Sequence, residues 1–364
     1  MFRYFFVMKR YLTILLLLPL AAVGQTKKSE PLFEQAVEKS IVGQYEEAIA
    51  LLHKALKVDP TYAEAYLLLG NQHLQLEQFR NFYAKKFQPL VSVLIPAYNQ
   101  PKFCQEAIDS VLAQSYRNIE ILIGDDSTNE DVKKMVKPYL RKHQNIKYFY
   151  HEGKPYGGGK NMNSLLEACS GEYVNFLLHD DLFYPEKISK MMEYYIRDLE
   201  DNICLVTSAR DLIDENSQFL KRKNPWQPHA DRIMNGIDVG RKVLFTLANF
   251  LGELSTILFK KQDVVFRDMK TGKIVHSIGN YCGISGTVYG DLDTWLQILK
   301  SGKDCVFMHE SLSAFRQHAA QNTFNPYTRT HLPLDALGFC TISWLNNIFF
   351  RNVEEYNYCC NKWI

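Results

Sequence analysis

One short stretch, residues 173–185, constrains the fold more than any other part of the chain. It reads YVNFLLHDDLFYP, and its first six residues are mostly apolar. This pattern is typical of a strand that is buried on both faces of a sheet. The strand ends on His179, Asp180 and Asp181, and adjacent carboxylates there are costly unless they face a cleft and meet a cation or hydrogen-bond donors. Because ligands bind at the carboxyl ends of strands in open α/β sheets, we predict that Asp180 and Asp181 hold a divalent metal ion against a phosphorylated ligand.

Composition excludes several classes of protein. The chain has 364 residues, of which 46% are apolar, so it can bury a substantial core and is not globally disordered. Its formal net charge of +2 gives no electrostatic sign of nucleic-acid binding, and we predict no nucleic-acid partner. The eight cysteines form no C-x-x-C pair, which argues against a zinc ribbon or a thioredoxin-like redox motif.

The first 25 residues contain a signal-like or anchor segment. Residues 11–23 read YLTILLLLPLAAV and follow Lys9 and Arg10, a pattern typical of a signal-peptide core and short for a membrane span. A buried or interfacial helix and a non-cleaved anchor are alternatives, and Met8 would begin a cleaner signal. The cytoplasmic face of the inner membrane is the favoured location, and export through this segment is the alternative.

Residues 30–87 resemble a partial tetratricopeptide repeat. Ala36, Gly43, Tyr45 and Ala48 fall at the small and large positions of a helix-turn-helix repeat, and a second copy begins at residue 63. About three such repeats are usually needed for a stable stack. The segment is therefore either a small docking element for a protein partner or a packing and spacer element.

From residue 88 onward the chain alternates strands and helices. Apolar strands are predicted over 90–100, 119–127, 146–152 and 203–214, with helices over 101–116 and up to about 142. This alternation predicts a mostly parallel sheet with helices on both faces. Residues 217–236 are polar with two prolines and predict a loop, and the apolar, aromatic residues 331–364 predict a packing helix.

Three segments of this part resemble family 2 glycosyltransferases. They read VSVLIPAYN, ILIGDDSTNE and GGGKNMNSLLEACSGEYVNFLLHDD, in the order and spacing of that family, and the resemblance covers about residues 90–320. It implies the GT-A fold, an α/β architecture with a mostly parallel mixed sheet flanked by helices. It also implies inverting, metal-dependent transfer of a sugar from a nucleotide-diphospho-sugar to an acceptor hydroxyl, in polysaccharide or cell-envelope glycan synthesis. Because nucleotide sugars are cytosolic in bacteria, this implied donor favours the cytoplasmic face of the inner membrane.

The resemblance implies a donor site at the ends of the first strands. Tyr98 would stack on the base, or else is a core aromatic, and Asp126 would bind the nucleoside or cap a helix. The family's arginine after the glycine loop is Lys160 here, which keeps the charge but loses the bidentate fork. The implied donor-site residues are Pro96, Ala97, Tyr98, Asn99, Asp125, Asp126, Lys160, Asp180 and Arg316.

The same resemblance implies a metal site with one departure. The family's motif is Asp-x-Asp-Asp, and Leu178 stands at its first position, which leaves Asp180 and Asp181 to bind Mg²⁺ or Mn²⁺ together with diphosphate oxygens. The segment SLSAFRQHAAQNT (311–323) resembles the family's Arg-x-His segment. His318 would complete the metal site or contact phosphate, with a surface loop as the alternative.

A carboxylate is also expected as catalytic base. GDLDTWLQILKSG (290–302) has apolar residues at helical spacing, and the resemblance places Asp291 where the family has its base. Gly290 replaces the usual preceding glutamate, Asp293 is the alternative base, and a favourable interaction of Asp291 with the helix dipole is the structural alternative.

These observations divide the chain into four parts: 1–25, 30–87, a transferase domain over 88–325 and a helical extension over 326–364. The expected partners are a nucleotide-diphospho-sugar donor, a glycan, lipid-linked or protein acceptor, and a possible protein partner of the helical repeats. Two other functions stay open: a catalytically degenerate domain acting as a scaffold, and a sugar-activating nucleotidyltransferase. The latter is disfavoured because no Gly-rich, Arg/Lys-bearing loop follows the first strand.

Overall fold

The computed structural model describes residues 29–363 except 61, 87, 152–154, 199, 227–228, 268–271, 280–289 and 320–325. The chain divides into two compact units between Lys85 and Lys86. Within the part of the chain so described, no helix is long and apolar enough to cross a membrane. The signal-like segment predicted over residues 1–25 lies outside the described residues.

The first unit is built from helices, as the repeat pattern predicts. The helices are α1 (Glu30–Ile41), α2 (Tyr45–Val58) and α3 (Ala63–Lys86). Gly43 joins the first two with a φ of 80°, a left-handed conformation that a residue without a side chain adopts easily. Ala36, Leu52 and Ala65 are fully buried in its small core, where the alanines allow close packing of the helices.

The second unit contains a large mixed sheet. Its strands follow the order β3-β2-β1-β4-β9-β6-β12-β5, with β7 paired to β6 and β8 paired to β12. The first four strands in this order run parallel, and β9 is antiparallel to both of its neighbours. The strands are β1 (Val91–Ala97), β2 (Ile119–Asp125), β3 (Ile146–Tyr150), β4 (Tyr173–Phe176), β5 (Leu182–Phe183), β6 (Ile203–Ile213), β7 (Phe219–Lys223), β8 (Arg232–Asn235), β9 (Leu258–Lys260) and β12 (Asp304–Arg316), while β10 (Val265–Arg267) and β11 (Ile274–His276) form a separate hairpin.

Helices cover both faces of this sheet. They are α4 (Pro101–Leu112), α5 (Asp131–Lys142), α6 (Gly158–Ala168), α7 (Lys187–Arg197), α8 (Gly236–Thr246), α9 (Gly290–Leu299), α10 (Pro326–Leu345) and α11 (Val353–Trp363). Side chains alternate along each strand, so the sheet divides the apolar residues into two cores. Leu94 and Phe176 pack with α6, α8 and α9, whereas Val93 and Ile95 pack with α4, α5 and α7.

Two details differ from the sequence-based expectation. The loop predicted over 217–236 contains β7 and β8, which extend the sheet by pairing with β6 and β12. Their side chains are mostly exposed, so these strands lack the apolar pattern that would have revealed them. The single helix predicted over 331–364 is two helices, α10 and α11, separated by a turn at Asn347, whose φ is 52°.

Candidate active site

The ends of β1 and β2 are tied together, which creates a rigid edge for a ligand. Ala97 and Asp125 are neighbours in register at the carboxyl ends of these parallel strands. Just beyond, the backbone N–H of Asn99 donates to Ser127 Oγ at 2.8 Å. The Asn99 side-chain carbonyl accepts from the Thr128 backbone N–H at 2.9 Å, and its own backbone is left-handed, with a φ of 50°. Asn99 therefore joins the two turns where the donor site is predicted.

Tyr98 is the exposed side chain of this turn. It is 46% exposed, whereas Pro96 and Ala97 are buried within β1. The Pro96 carbonyl accepts from His179 Nδ1–H at 3.1 Å, and burial lowers the pKa of His179, which favours its neutral form. An exposed ring beside a strand end is available to stack on a planar ligand.

Asp125 does not fit the predicted contact with a nucleoside. Its side chain is fully buried, and its two oxygens accept from the Tyr148 hydroxyl at 2.5 Å and the Ser127 backbone N–H at 3.0 Å. Burial, together with the neighbouring Asp125 carboxylate, raises the pKa of Tyr148, so the phenol keeps its proton and remains a donor. Asp125 therefore stabilises the end of β2, and its full burial argues against contact with a nucleoside.

Asp126 positions the glycine loop. Its two carboxylate oxygens accept from the backbone N–H groups of Tyr156 at 2.5 Å and Gly157 at 2.8 Å. Gly157 has a φ of 85° and lies immediately before α6, so the carboxylate fixes the entry into this helix. Lys160 lies in the first turn of α6 and is exposed. This arrangement places a cation at a helix N-terminus, a location suited to a phosphate group.

Asn161 holds α6 against the end of β2. Its side-chain amide donates to the Gly124 carbonyl at 2.8 Å, and both residues lie inside the protein. A Cβ on Gly124 would lie 2.1 Å from Asn161 Oδ1, so only glycine fits there.

Gly124→Ala is therefore expected to lower the free energy of unfolding by about 2 kcal/mol, because the added methyl group overpacks a buried site. Gly159→Ala is the matched control, since a Cβ at Gly159 meets no atom within 4 Å. Urea unfolding of both variants tests the expectation, and equal stabilities would contradict it.

Asp181 does not fit the predicted role of metal ligand. It is fully buried, its Oδ2 accepts from the Ser255 hydroxyl at 2.5 Å, and its Oδ1 accepts from the Arg316 backbone N–H at 3.1 Å. Burial and the charge of Asp180 raise its pKa well above the ordinary value. Asp181 therefore links the segment after β4 to β12 and to the turn at Ser255, and its full burial separates both oxygens from solvent.

Asp180 and His318 are brought together, as the resemblance implies. Asp180 Oδ2 and His318 Nε2 are 3.0 Å apart, although 138 residues separate them along the chain. The two side chains are 16% and 6% exposed, and Phe103 packs against the imidazole with ring centroids 5.2 Å apart. The described residues contain no cluster of three or more metal-binding side chains. Two such donors fit Mg²⁺ or Mn²⁺ only where substrate phosphates supply further ligands, a common mode for Mg²⁺.

Arg316 is a structural residue and not the predicted phosphate ligand. Its guanidinium is fully buried and donates to the Asp180 carbonyl at 2.7 Å, to Ser217 Oγ at 2.9 Å and to Glu106 Oε2 at 2.6 Å. It also stacks on Phe103, at 4.4 Å from the ring centroid. Arg316 thus orients the backbone of Asp180, and sequence alone could not separate this role from phosphate binding.

Leu178, the departure from the family's metal motif, packs partly buried against the apolar core that contains Phe176. Its backbone N–H donates to Ser255 Oγ at 3.0 Å. Leu178 therefore packs in the core. Of the carboxylates Asp180 and Asp181, Asp180 is the accessible one.

Asp291 lies at the N-terminal end of α9 and is partly buried. Burial and the charge of Glu253 raise the pKa of its carboxyl group to about 7, while Arg210 acts in the opposite direction. Glu253 also acts on Asp181, so Asp291 and the end of β4 share one electrostatic neighbour. The alternative base, Asp293, is fully buried. Sequence reasoning missed Glu253 and Arg210, which are 43 residues apart and carry no local pattern.

Comparisons with known proteins agree with this fold. The profile of glycosyl transferase family 2 matches residues 92–246, and a tetratricopeptide-repeat profile matches residues 42–76. An uncharacterized glycosyltransferase of Rickettsia typhi is 32% identical over 242 residues, covering 65% of this chain and 67% of that protein. The chain therefore belongs to the family 2 glycosyltransferases, and the predicted GT-A fold is confirmed.

Two further proteins are similar to parts of the chain. The GalNAc(5)-diNAcBac-PP-undecaprenol beta-1,3-glucosyltransferase of Campylobacter jejuni is 32% identical over 105 residues, which is 29% of this chain and 34% of that protein. The crystal structure of residues 1–349 of S. aureus TarS in complex with UDP-GlcNAc has a TM-score of 0.52 at 16% identity, covering 75% of this chain and 71% of that one. The latter similarity concerns the fold.

Proposed function

We propose that this glycosyltransferase moves a sugar from a nucleotide-diphospho-sugar to an acceptor hydroxyl in one inverting displacement. The observation that carries the proposal is the Asp291 carboxyl group at the N-terminal end of α9, in the unit that also contains the strand end with Asp180; burial and the charge of Glu253 raise its pKa to about 7. A general base is most effective when its pKa is near the working pH.

Different residues of the chain act on the donor and on the acceptor. Tyr98 stacks on the base of the donor, and Lys160 attracts the diphosphate. Asp180 and His318 would hold a divalent cation, which when bound neutralises charge on the leaving diphosphate. Asp291 accepts the proton of the acceptor hydroxyl. At the same time the acceptor oxygen bonds to the anomeric carbon, and the bond from that carbon to the diphosphate oxygen breaks. A nucleoside diphosphate leaves.

A lipid-linked glycan is the acceptor class to test first. The name of the Campylobacter jejuni relative gives a saccharide on PP-undecaprenol, and this chain carries an apolar segment at residues 11–23 that would bring it to a membrane. We therefore propose a role in cell-envelope glycan synthesis at the cytoplasmic face of the inner membrane. The repeat unit would recruit a protein partner.

The test is release of nucleoside diphosphate from a panel of UDP, GDP and dTDP sugars by the purified full chain with Mn²⁺. One donor should be turned over, and proton NMR of the product should show an inverted anomeric configuration. The competing function is a degenerate domain acting as a scaffold, which the loss of a carboxylate at Leu178 favours. Absence of turnover and of nucleoside-diphosphate binding across the panel would establish the scaffold instead.

A further inference from the structure

Helix α9 is fixed against the turn that carries Glu253. Asp291 and Trp295 are four residues apart in this helix and therefore lie on the same face. Trp295 is fully buried, and its indole N–H donates to the Gly252 carbonyl at 3.0 Å. The face of α9 that bears Asp291 is thus held next to residue 253 by a hydrogen bond that involves neither carboxylate.

Glu253 is bound by two cations from the sheet. Arg210 Nη2 donates to Glu253 Oε1 at 2.8 Å, and Arg210 Nε contacts the other oxygen, so the guanidinium engages the carboxylate with two nitrogens. The Arg210 side chain is fully buried, and Glu253 is 17% exposed. Lys223, the partner of Arg210 across the β6–β7 pair, places its Nζ 3.6 Å from Glu253 Oε1. A buried guanidinium of this kind is stable only while its carboxylate is present.

The charged residues that act on Asp291 lie in the turn at residue 253 and in strand β6. Among the residues that the structure describes, Glu253 and Arg210 act on Asp291 with opposite signs, and Lys223 contacts Glu253. Asp293 lies on α9 itself, two residues away, is fully buried, and acts on Lys300. Neighbouring charges of opposite sign are the usual means of setting the proton affinity of a carboxyl group.

We propose that Glu253 and Arg210 are positioning residues that set the protonation of Asp291. The Glu253 carboxylate favours the protonated form of Asp291, and it also holds the Arg210 guanidinium, which favours the ionised form. The inference rests on the proposed function in one respect only, the role of Asp291 as base. If the charge of Glu253 is removed, the Arg210 cation acts on Asp291 without opposition, and Asp291 ionises at lower pH.

The experiment needs no donor or acceptor, because a titrating group changes the stability of the fold with pH. The pKa of Asp291 is raised from 3.8 to about 7, so the folded state binds its proton more tightly than the unfolded chain. The stabilisation is therefore complete below about pH 4 and is lost as the pH rises through about 7. Urea unfolding of the full chain from pH 4.5 to 8.5 should show this loss, and Asp291→Asn should abolish it.

Glu253→Gln should move the upper end of this window, the pH range over which the stabilisation is lost, to lower pH by about one unit. The substitution keeps the shape of the side chain and removes its charge. Lys223→Glu, a substitution at a side chain that is 46% exposed, should move the window to higher pH and provides a variant that folds even if Glu253→Gln does not. Glu310→Gln, in an exposed pair with Lys190, is the matched control and should leave the window unchanged.

Superposition of the Glu253→Gln and Lys223→Glu curves on that of the wild type would overturn the proposal, and so would an Asp291→Asn curve parallel to the wild type. The role of Asp291 as base fails separately. If Asp291→Asn still transfers sugar while Glu253→Gln moves the window, the coupling stands and the base is another residue.

Discussion

Asp291→Asn is expected to lower kcat for sugar transfer by about 10³-fold and to leave donor affinity unchanged. The acceptor hydroxyl is a weak nucleophile until a base takes its proton, and an amide of the same shape accepts no proton at neutral pH. In the proposed arrangement the donor is held at the strand ends that bear Tyr98 and Asp180, so its affinity should not depend on residue 291. Steady-state rates with a turned-over donor, together with calorimetric titration of the nucleoside diphosphate, measure both quantities.

Asp293→Asn is the matched control for this prediction, because Asp293 lies on the same helix and was the alternative base. It is fully buried, so its replacement should affect stability more than kcat. A loss of nucleoside-diphosphate binding in Asp291→Asn would contradict the base role and show that the residue contacts the donor. Equal rate losses in both variants would point to distortion of α9.

The pH profile supplies an independent check of the same residue. Asp291 acts only when ionised, and its pKa is about 7, so kcat/KM of the wild-type enzyme should fall below that pH with a slope of about one proton. A rate constant that is flat down to pH 5.5 would contradict the assignment.

The strand ends were predictable because each strand near the site is a mostly apolar run that stops on polar residues. The runs before Asn99, Asp125 and Asp180 could therefore be placed in a parallel sheet, and their carboxyl ends on one edge, without coordinates. Strands β7 and β8 were missed, because their side chains mostly face solvent and carry no alternation.

The different roles of the four strand-end carboxylates were not predictable. In the sequence, Asp125, Asp126, Asp180 and Asp181 are four equivalent acids at two strand ends. In the structure three of them accept hydrogen bonds from the protein, including donors 30 and 135 residues away, and Asp180 is the one paired with His318. Hydrogen-bond donors that are distant in the sequence do not affect the local spacing of residues. A strand-end acid that binds backbone N–H groups therefore has the same sequence pattern as one that binds a metal ion.

Asp180→Ala is expected to lower kcat/KM by about 10³-fold and to remove most of the dependence on Mn²⁺ concentration. The variant deletes the accessible carboxylate and leaves His318 without its partner at 3.0 Å. The backbone carbonyl of Asp180, which accepts from Arg316, is retained, so the local fold should persist. Rates measured against added Mn²⁺ after treatment with a chelator test this expectation, and circular dichroism confirms folding.

Asp181→Asn provides the contrast that separates a metal ligand from a structural acid. An amide at this position cannot accept from both Ser255 and the Arg316 backbone, so the free energy of unfolding should fall by about 2 kcal/mol. The Mn²⁺ concentration at half-maximal rate should stay close to that of the wild type at a temperature where the variant is folded. If Asp181→Asn instead raised that concentration as strongly as Asp180→Ala, both acids would bind the metal. The buried position of Asp181 would then describe only the form of the protein without substrate.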